Sequence, residues 1–192
     1  MEDDTYRELV YEGTAPPSLW SMAPDGGVVR VGSFAKTVAP GLRLGWLTAP
    51  PDLVRRLLAR GFVDSGGGLN HTTALAMAVM GTSGRYAAHV EEIRAMYRTQ
   101  RDALVAALKA VPVEVVAPRG GWFLWLRLPD GIAATDLLAV AEAHGTSFLP
   151  GRRFYARPPA DDHVRLSFSM YGPEVLAEAA RRFGRAVAPG IT

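Results

Sequence analysis

Residues 28–48 place a lysine in a turn between two apolar runs, and this constrains the chain more than any other feature. Residues 28–32 are apolar and β-branched, residues 42–48 form a second such run, and turn residues punctuate the segment between them. That pattern predicts two strands. The connecting segment reads Ser33-Phe34-Ala35-Lys36-Thr37-Val38-Ala39-Pro40-Gly41. Of the 21 lysines and arginines in the chain, only Lys36 and Lys109 are lysine. Arginine keeps its proton at physiological pH, whereas a lysine amine can lose its proton and condense with a carbonyl. Lys109 ends a helical pattern, where a cation complements the helix dipole. Lys36 has no such use, and a turn between apolar runs suits a reactive amine better than a solvated charge.

The length of 192 residues allows one domain or one and a half, with enough chain for a real core. The composition is that of an ordinary globular protein, 48% hydrophobic and 21% charged. The net charge is +2 and acids are interleaved with bases, so no basic stripe for nucleic acid is present. The absence of cysteine excludes disulfides, thiolate chemistry and cysteine metal sites. The N-terminus, Met1-Glu2-Asp3-Asp4, is acidic where a signal peptide is basic. No apolar run reaches the roughly 18 residues of a membrane span. The expectation is a cytoplasmic protein with neither a membrane nor a nucleic-acid partner, and with no metal.

Along the chain, residues 7–27 are rich in Pro and Gly and read as loop, with a short helical turn near 18–22. Pro50-Pro51 opens a helix running to about Arg60, and Gly66-Gly67-Gly68 breaks the chain. Residues 72–80 are small and apolar, predicting a buried helix. Residues 83–110 carry helical periodicity over an unusual length, predicting a spine between domains, with Arg94, Arg98 and Arg101 on a solvated face. Strands are expected at 113–117, 122–128, 146–149 and 163–169. Helices are expected at 135–144, with Thr135 as N-cap, and at 173–187, with Pro173 in the first turn. Trp122 and Trp125 read as core. The expected fold is α/β, with residues 1–80 as part of a larger domain and 81–192 as a smaller α+β domain.

From residue chemistry alone, Lys36 is a candidate to form a Schiff base, with an anion site beside it. Ser33 lies three residues before it and Arg43 seven after, and Arg43 brings a forked donor suited to phosphate. The segment Ser33-Phe34-Ala35-Lys36-Thr37-Val38-Ala39-Pro40-Gly41-Leu42-Arg43-Leu44-Gly45-Trp46 resembles the cofactor-lysine segment of the class I/II aminotransferases, the fold-type-I pyridoxal-phosphate enzymes. Within that family it is most similar to the aminoadipate- and kynurenine-type branch and to the aminotransferase-like regulators. Four further segments resemble the same family in the same order. These are Asp3-Asp4-Thr5-Tyr6, residues 118–125, Phe148-Leu149-Pro150-Gly151 with Phe154-Tyr155, and Val164-Arg165-Leu166-Ser167-Phe168-Ser169.

The resemblance implies a role for each matching residue. Lys36 is the lysine that forms the internal aldimine with pyridoxal 5'-phosphate and later shuttles a proton. Asp3, favoured over Asp4 by its spacing to Tyr6, pairs with the pyridine nitrogen. Tyr6 hydrogen-bonds the cofactor's 3′ oxygen. Ser33 and Arg43 are phosphate ligands, and Arg165 grips the substrate carboxylate and orients the substrate. The implied function is transfer of an amino group between an amino acid and a 2-keto acid. The alternatives are the sensor domain of a transcription regulator, or a pyridoxal-phosphate enzyme acting as decarboxylase, lyase or oxidase.

The family carries a large segment ahead of the Asp3 motif, including the strand that Asp3 ends, and this chain begins at the motif. The expectation is therefore a split or truncated enzyme, acting as a homodimer or with a chain that supplies the N-terminal half. Sheet edges and apolar faces are expected to be exposed.

Overall fold

The two apolar runs pair with each other. In the computed structural model, which describes residues 1–68, 70–157 and 160–188, β2 (Arg30–Ser33) lies antiparallel to β3 (Gly45–Thr48) in the register Gly32↔Trp46 and Ser33↔Gly45. A two-residue strand, β1 (Glu2–Asp3), runs parallel on the other side of β2, so this sheet is mixed. The strand expected to be missing ahead of Tyr6 thus exists in short form. Glu2 N–H donates to the Val29 carbonyl at 2.7 Å and Asp4 N–H to that of Val31 at 2.9 Å, which is enough to hold it.

The register divides the sheet into two faces. Side chains alternate along a strand. Glu2, Arg30, Gly32, Trp46 and Thr48 therefore share one face, while Asp3, Val31, Ser33 and Leu47 share the other. The Trp46 ring covers Gly32 so closely that a Cβ there would lie 2.2 Å from ring atoms.

The chain divides into two compact units, Met1–Arg94 and Ala95–Thr192. The first unit continues through α1 (Pro51–Leu58), one π-helical turn at Val63–Gly67, α2 (His71–Thr82) and the start of α3 (Arg85–Leu108). Gly66 sits at φ 92 inside the π-helical turn, a conformation that glycine adopts without a Cβ penalty, so the expected break is an ordered turn. The sequence predicts burial for α2, but Met77 is its only buried residue among those described, while Leu75 and Val79 are exposed. The helix is apolar on all sides, so no single face is selected, and burial depends on the surfaces that meet it.

In the second unit β4 (Phe123–Arg127), β6 (His163–Ser167) and β5 (Leu149–Pro150) form an antiparallel sheet in the order β4-β6-β5. Leu124 and Leu126 of β4 stand opposite Leu166 and Val164 of β6, and all four are buried. α4 (Ala134–Ala143) and α5 (Pro173–Val187) belong to the same unit. α5 buries Leu176, Ala180, Phe183 and Val187, one helical stripe, and Phe183 packs edge-on against Phe148 at 5.7 Å. No helix among the described residues is long and apolar enough to cross a membrane.

Four local expectations are corrected. Residues 113–117 form no strand and make only the Glu114↔Arg127 bridge, because Pro112 and Pro118 donate no hydrogen bonds and Val116 faces solvent. Thr135 does not cap α4. The helix starts one residue earlier, and the Asp161 carboxylate accepts from the Thr135 N–H at 3.0 Å and from its hydroxyl. Arg101 is buried, its guanidinium donating to the Pro118 carbonyl at 2.6 Å and its stem packed against the unit. Trp125 is not core. It lies on the outer face of β4, 39% exposed.

Candidate active site

Lys36 lies in the turn that joins β2 to β3. The turn is closed by hydrogen bonds from the Val38 N–H to the Phe34 carbonyl at 2.8 Å and from the Phe34 N–H to the Leu44 carbonyl at 3.1 Å. The Ser33 hydroxyl accepts from the Ala35 N–H at 3.1 Å, at the exit of β2. Residues 40–42 form a 3-10 turn, and Arg43 follows it in the left-handed region at φ 49, ψ 39. Among the described residues it is the one non-glycine residue with positive φ. Such a conformation costs an L-residue roughly 1 kcal/mol, and outliers of this kind cluster at functional sites. Arg43 is exposed and donates to the Pro40 carbonyl at 3.4 Å. It precedes β3, whereas the sequence suggests a position inside the strand.

The structure brings Lys36 to Tyr6. The Lys36 Nζ lies 5.5 Å from the centroid of the Tyr6 ring, and both residues are half-buried. Tyr6 leaves β1 through a turn in which the Leu9 N–H donates to the Tyr6 carbonyl at 2.9 Å. The two neighbouring acids separate by face. Asp4 is taken up in ion pairs with Arg30 at 2.6 Å and Arg7 at 3.5 Å. Asp3 stays exposed on the face it shares with Ser33, its carboxylate accepting only a local bond from the Thr5 N–H at 3.2 Å among the contacts described.

Arg165 belongs to the second unit. On β6 it stands opposite Trp125 of β4 and Leu149 of β5. Its guanidinium carbon lies 4.0 Å from the Phe123 ring centroid and 4.2 Å from that of Phe154, so the cation rests on two aromatic faces. It lines a cleft of about 250 Å³ with Phe123, Ser147, Phe148, Leu149 and Ser167. Beside it, Trp125 stacks on His163 with centroids 5.5 Å apart and meets Phe154 edge-on at 5.8 Å.

Sequence reasoning misses two supporting groups. One is the pair of aromatic rings, Phe123 and Phe154, against Arg165. The other is a set of α3 residues behind the lysine turn. The Tyr86 hydroxyl bonds both Glu8 Oε2 and Thr37 Oγ1, the latter at 2.9 Å, and His89 Nε2 lies 2.8 Å from the Thr37 carbonyl oxygen. Burial, and then the Glu8 carboxylate beside it, push the Tyr86 phenol well above its usual range. Neither group has a local signal, since Thr37 and Tyr86 are 49 positions apart.

Comparison with known proteins converges on one family. The family model described as aminotransferase class I and II matches residues 1–183. The chain is 34% identical to a 2-aminoadipate transaminase of Thermus thermophilus, covering 97% of this chain and 48% of that protein. It is also 34% identical to an HTH-type transcriptional regulator of Rhodobacter capsulatus, covering 97% of this chain and 39% of that protein. The crystal structure of a Pyrococcus horikoshii kynurenine aminotransferase in complex with PMP superimposes with a TM-score of 0.91 at 30% identity, covering all of this chain and 48% of that one. The chain spans about half the length of the relatives it matches.

Proposed function

This chain belongs to the aminotransferase class I and II family, and on that premise we propose that it is the lysine-bearing and C-terminal portion of a pyridoxal-phosphate-dependent aminotransferase. The observation that carries the reading is the Lys36 amine held 5.5 Å from the Tyr6 ring. The sheet beside this pair presents Asp3 and Ser33 on one face.

The residues present fit the cofactor by their chemistry. Lys36 offers an amine for its aldehyde, Tyr6 a phenol for its ring oxygen, and Asp3 an exposed carboxylate for its ring nitrogen. Ser33 and Arg43 offer hydroxyl and guanidinium donors for its phosphate. Pyridoxal phosphate, when bound, supplies an electron sink for the charge that develops at the substrate α-carbon. Lys36 would hold it in place, and the Lys36 amine would take the α-proton as general base. Tyr6 orients the ring by its hydroxyl. Asp3 keeps the ring nitrogen protonated. Arg165, in the second unit, would offer paired donors to a substrate carboxylate and so orient the substrate.

In this reading the substrates are an amino acid and a 2-keto acid, and the protein works in the cytoplasm. Residues 1–80 are part of the cofactor-binding large domain and residues 81–192 form the small domain. The rest of the site would come from the part of the relatives' length that this chain does not span. The similarity to the Rhodobacter regulator supports a second reading, a sensor domain that binds the same cofactor without turnover.

The test is borohydride reduction of the purified protein with pyridoxal phosphate, followed by peptide mapping, with keto-acid release measured in parallel. A reduced adduct confined to Lys36 together with keto-acid release is the expected result. The adduct without keto-acid release favours the sensor reading. Equal labelling of Lys109 and the N-terminus overturns both.

A further inference from the structure

Tyr86 is the point at which the two turns carrying Lys36 and Tyr6 are joined. A carboxylate only accepts, so the Tyr86 O–H donates to Glu8 Oε2 and the Thr37 hydroxyl donates to the Tyr86 oxygen at 2.9 Å. Thr37 follows Lys36 directly and is 3% exposed, while Glu8 lies two residues beyond Tyr6. The same helix face adds two bonds, from His89 to the Thr37 carbonyl oxygen at 2.8 Å and from Arg94 Nε to the Glu8 carbonyl oxygen at 2.5 Å. The Phe34 ring meets Tyr86 edge-on at 5.7 Å. One phenol therefore bridges the two turns, bonded to a carboxylate on one side and a buried hydroxyl on the other.

We propose that Tyr86 is a positioning residue, which sets the place of the Lys36 amine relative to the Tyr6 ring by tying both turns to α3. The inference rests on the reading of Lys36 as the cofactor lysine. A lysine amine on a four-carbon stem reaches a range of positions, so the turn that carries the stem decides which of them are used. Small misplacements of a reacting group are expensive in rate. Among the described residues, the ionisable groups at this junction are Glu8, His89 and Arg94, with Arg94 also paired to Glu91.

The experiment uses Tyr86→Phe, which removes the hydroxyl and keeps the ring against Phe34, and Thr37→Val, which removes the same bond from the other side. Two quantities are read. The first is amide hydrogen exchange in residues 4–9 and 34–39. The second is the pH midpoint of the absorbance band of pyridoxal phosphate at Lys36. In Tyr86→Phe, exchange rises about tenfold in both segments, the loss expected for a bond to a charged group. Thr37→Val repeats the rise in 34–39. The band midpoint moves by about one pH unit in Tyr86→Phe. Unchanged exchange overturns the proposal. Faster exchange with an unmoved midpoint also overturns it, because Tyr86 is then structural only. A wild-type protein with no Lys36 band overturns the functional reading itself, an outcome distinct from a wild-type band that the variants leave unmoved.

Discussion

The Arg165 guanidinium carbon sits 4.2 Å from the centroid of the Phe154 ring and 4.0 Å from that of Phe123. Contact with two aromatic faces restricts the guanidinium, and no carboxylate partners it among the ion pairs described. If Arg165 grips a substrate carboxylate as proposed, such packing lowers the entropy lost on docking.

Removing one of the two rings loosens this arrangement. Phe154 is 44% exposed, so Phe154→Ala costs little stability. On the proposed role of Arg165, the expected effect is a rise of about fivefold in KM for an amino-acid substrate, matching a cation–π contact of roughly 1 kcal/mol, with kcat changed less. Steady-state kinetics check this. An unchanged KM removes the ring contact from the account.

Glycine 32 is required by its neighbour across the strands. Gly32→Ala drives a Cβ into the Trp46 ring, and the expected cost is about 2 kcal/mol, read by denaturant unfolding. Gly32→Ala combined with Trp46→Ala recovers part of that loss, because the ring that had to move is gone. Gly45→Ala meets the Gly32 carbonyl oxygen at 2.6 Å, and no side-chain substitution relieves a backbone clash.

The start of α4 depends on a residue far from it in sequence. Asp161→Ala removes the acceptor for both the N–H and the hydroxyl of Thr135, and is expected to cost about 1 kcal/mol, the usual worth of an N-cap. Thr135→Ala keeps the N–H bond and should cost less. The reverse order in thermal melts would rule out the cap.

The terminal helix carries a pH dependence of known sign. Glu178 is paired with Arg182 and Arg181, each at 2.9 Å, and with Arg185 at 3.5 Å. Arg182 first, and then Arg181, hold its carboxyl down from 4.5 to about 2. A carboxyl with a depressed folded value adds stability above its ordinary value of 4.5, and that contribution is lost as pH falls towards about 2. Glu178→Gln therefore melts with a weaker acid dependence than the wild type across that interval. Parallel acid profiles for the two proteins would show that the exposed cluster contributes nothing.

The sequence alone determined the parts that depend on short-range pattern. The paired runs around Lys36 became β2 and β3, because apolar residues bounded by turn residues have few other solutions. Helix α5 spans the expected Pro173–Val187, because Pro opens it and one apolar stripe runs its length. The lysine segment also identified the family that the comparisons report. Tertiary structure decided the rest. Asp3 rather than Asp4 faces the side shared with Ser33, because strand register assigns faces and Arg30 captures Asp4. Residues 113–117 had strand composition but found only one bridge, since a strand requires a partner edge. Helix α2, apolar all round, had no preferred face to bury. Tyr86 reached Thr37 across 49 positions and Asp161 reached Thr135 across 26, and no local period encodes contacts of that range. Local propensity and hydrophobic period are readable within a window of a few turns. Pairing across the chain is set by which surfaces pack together, and only the folded chain contains that information.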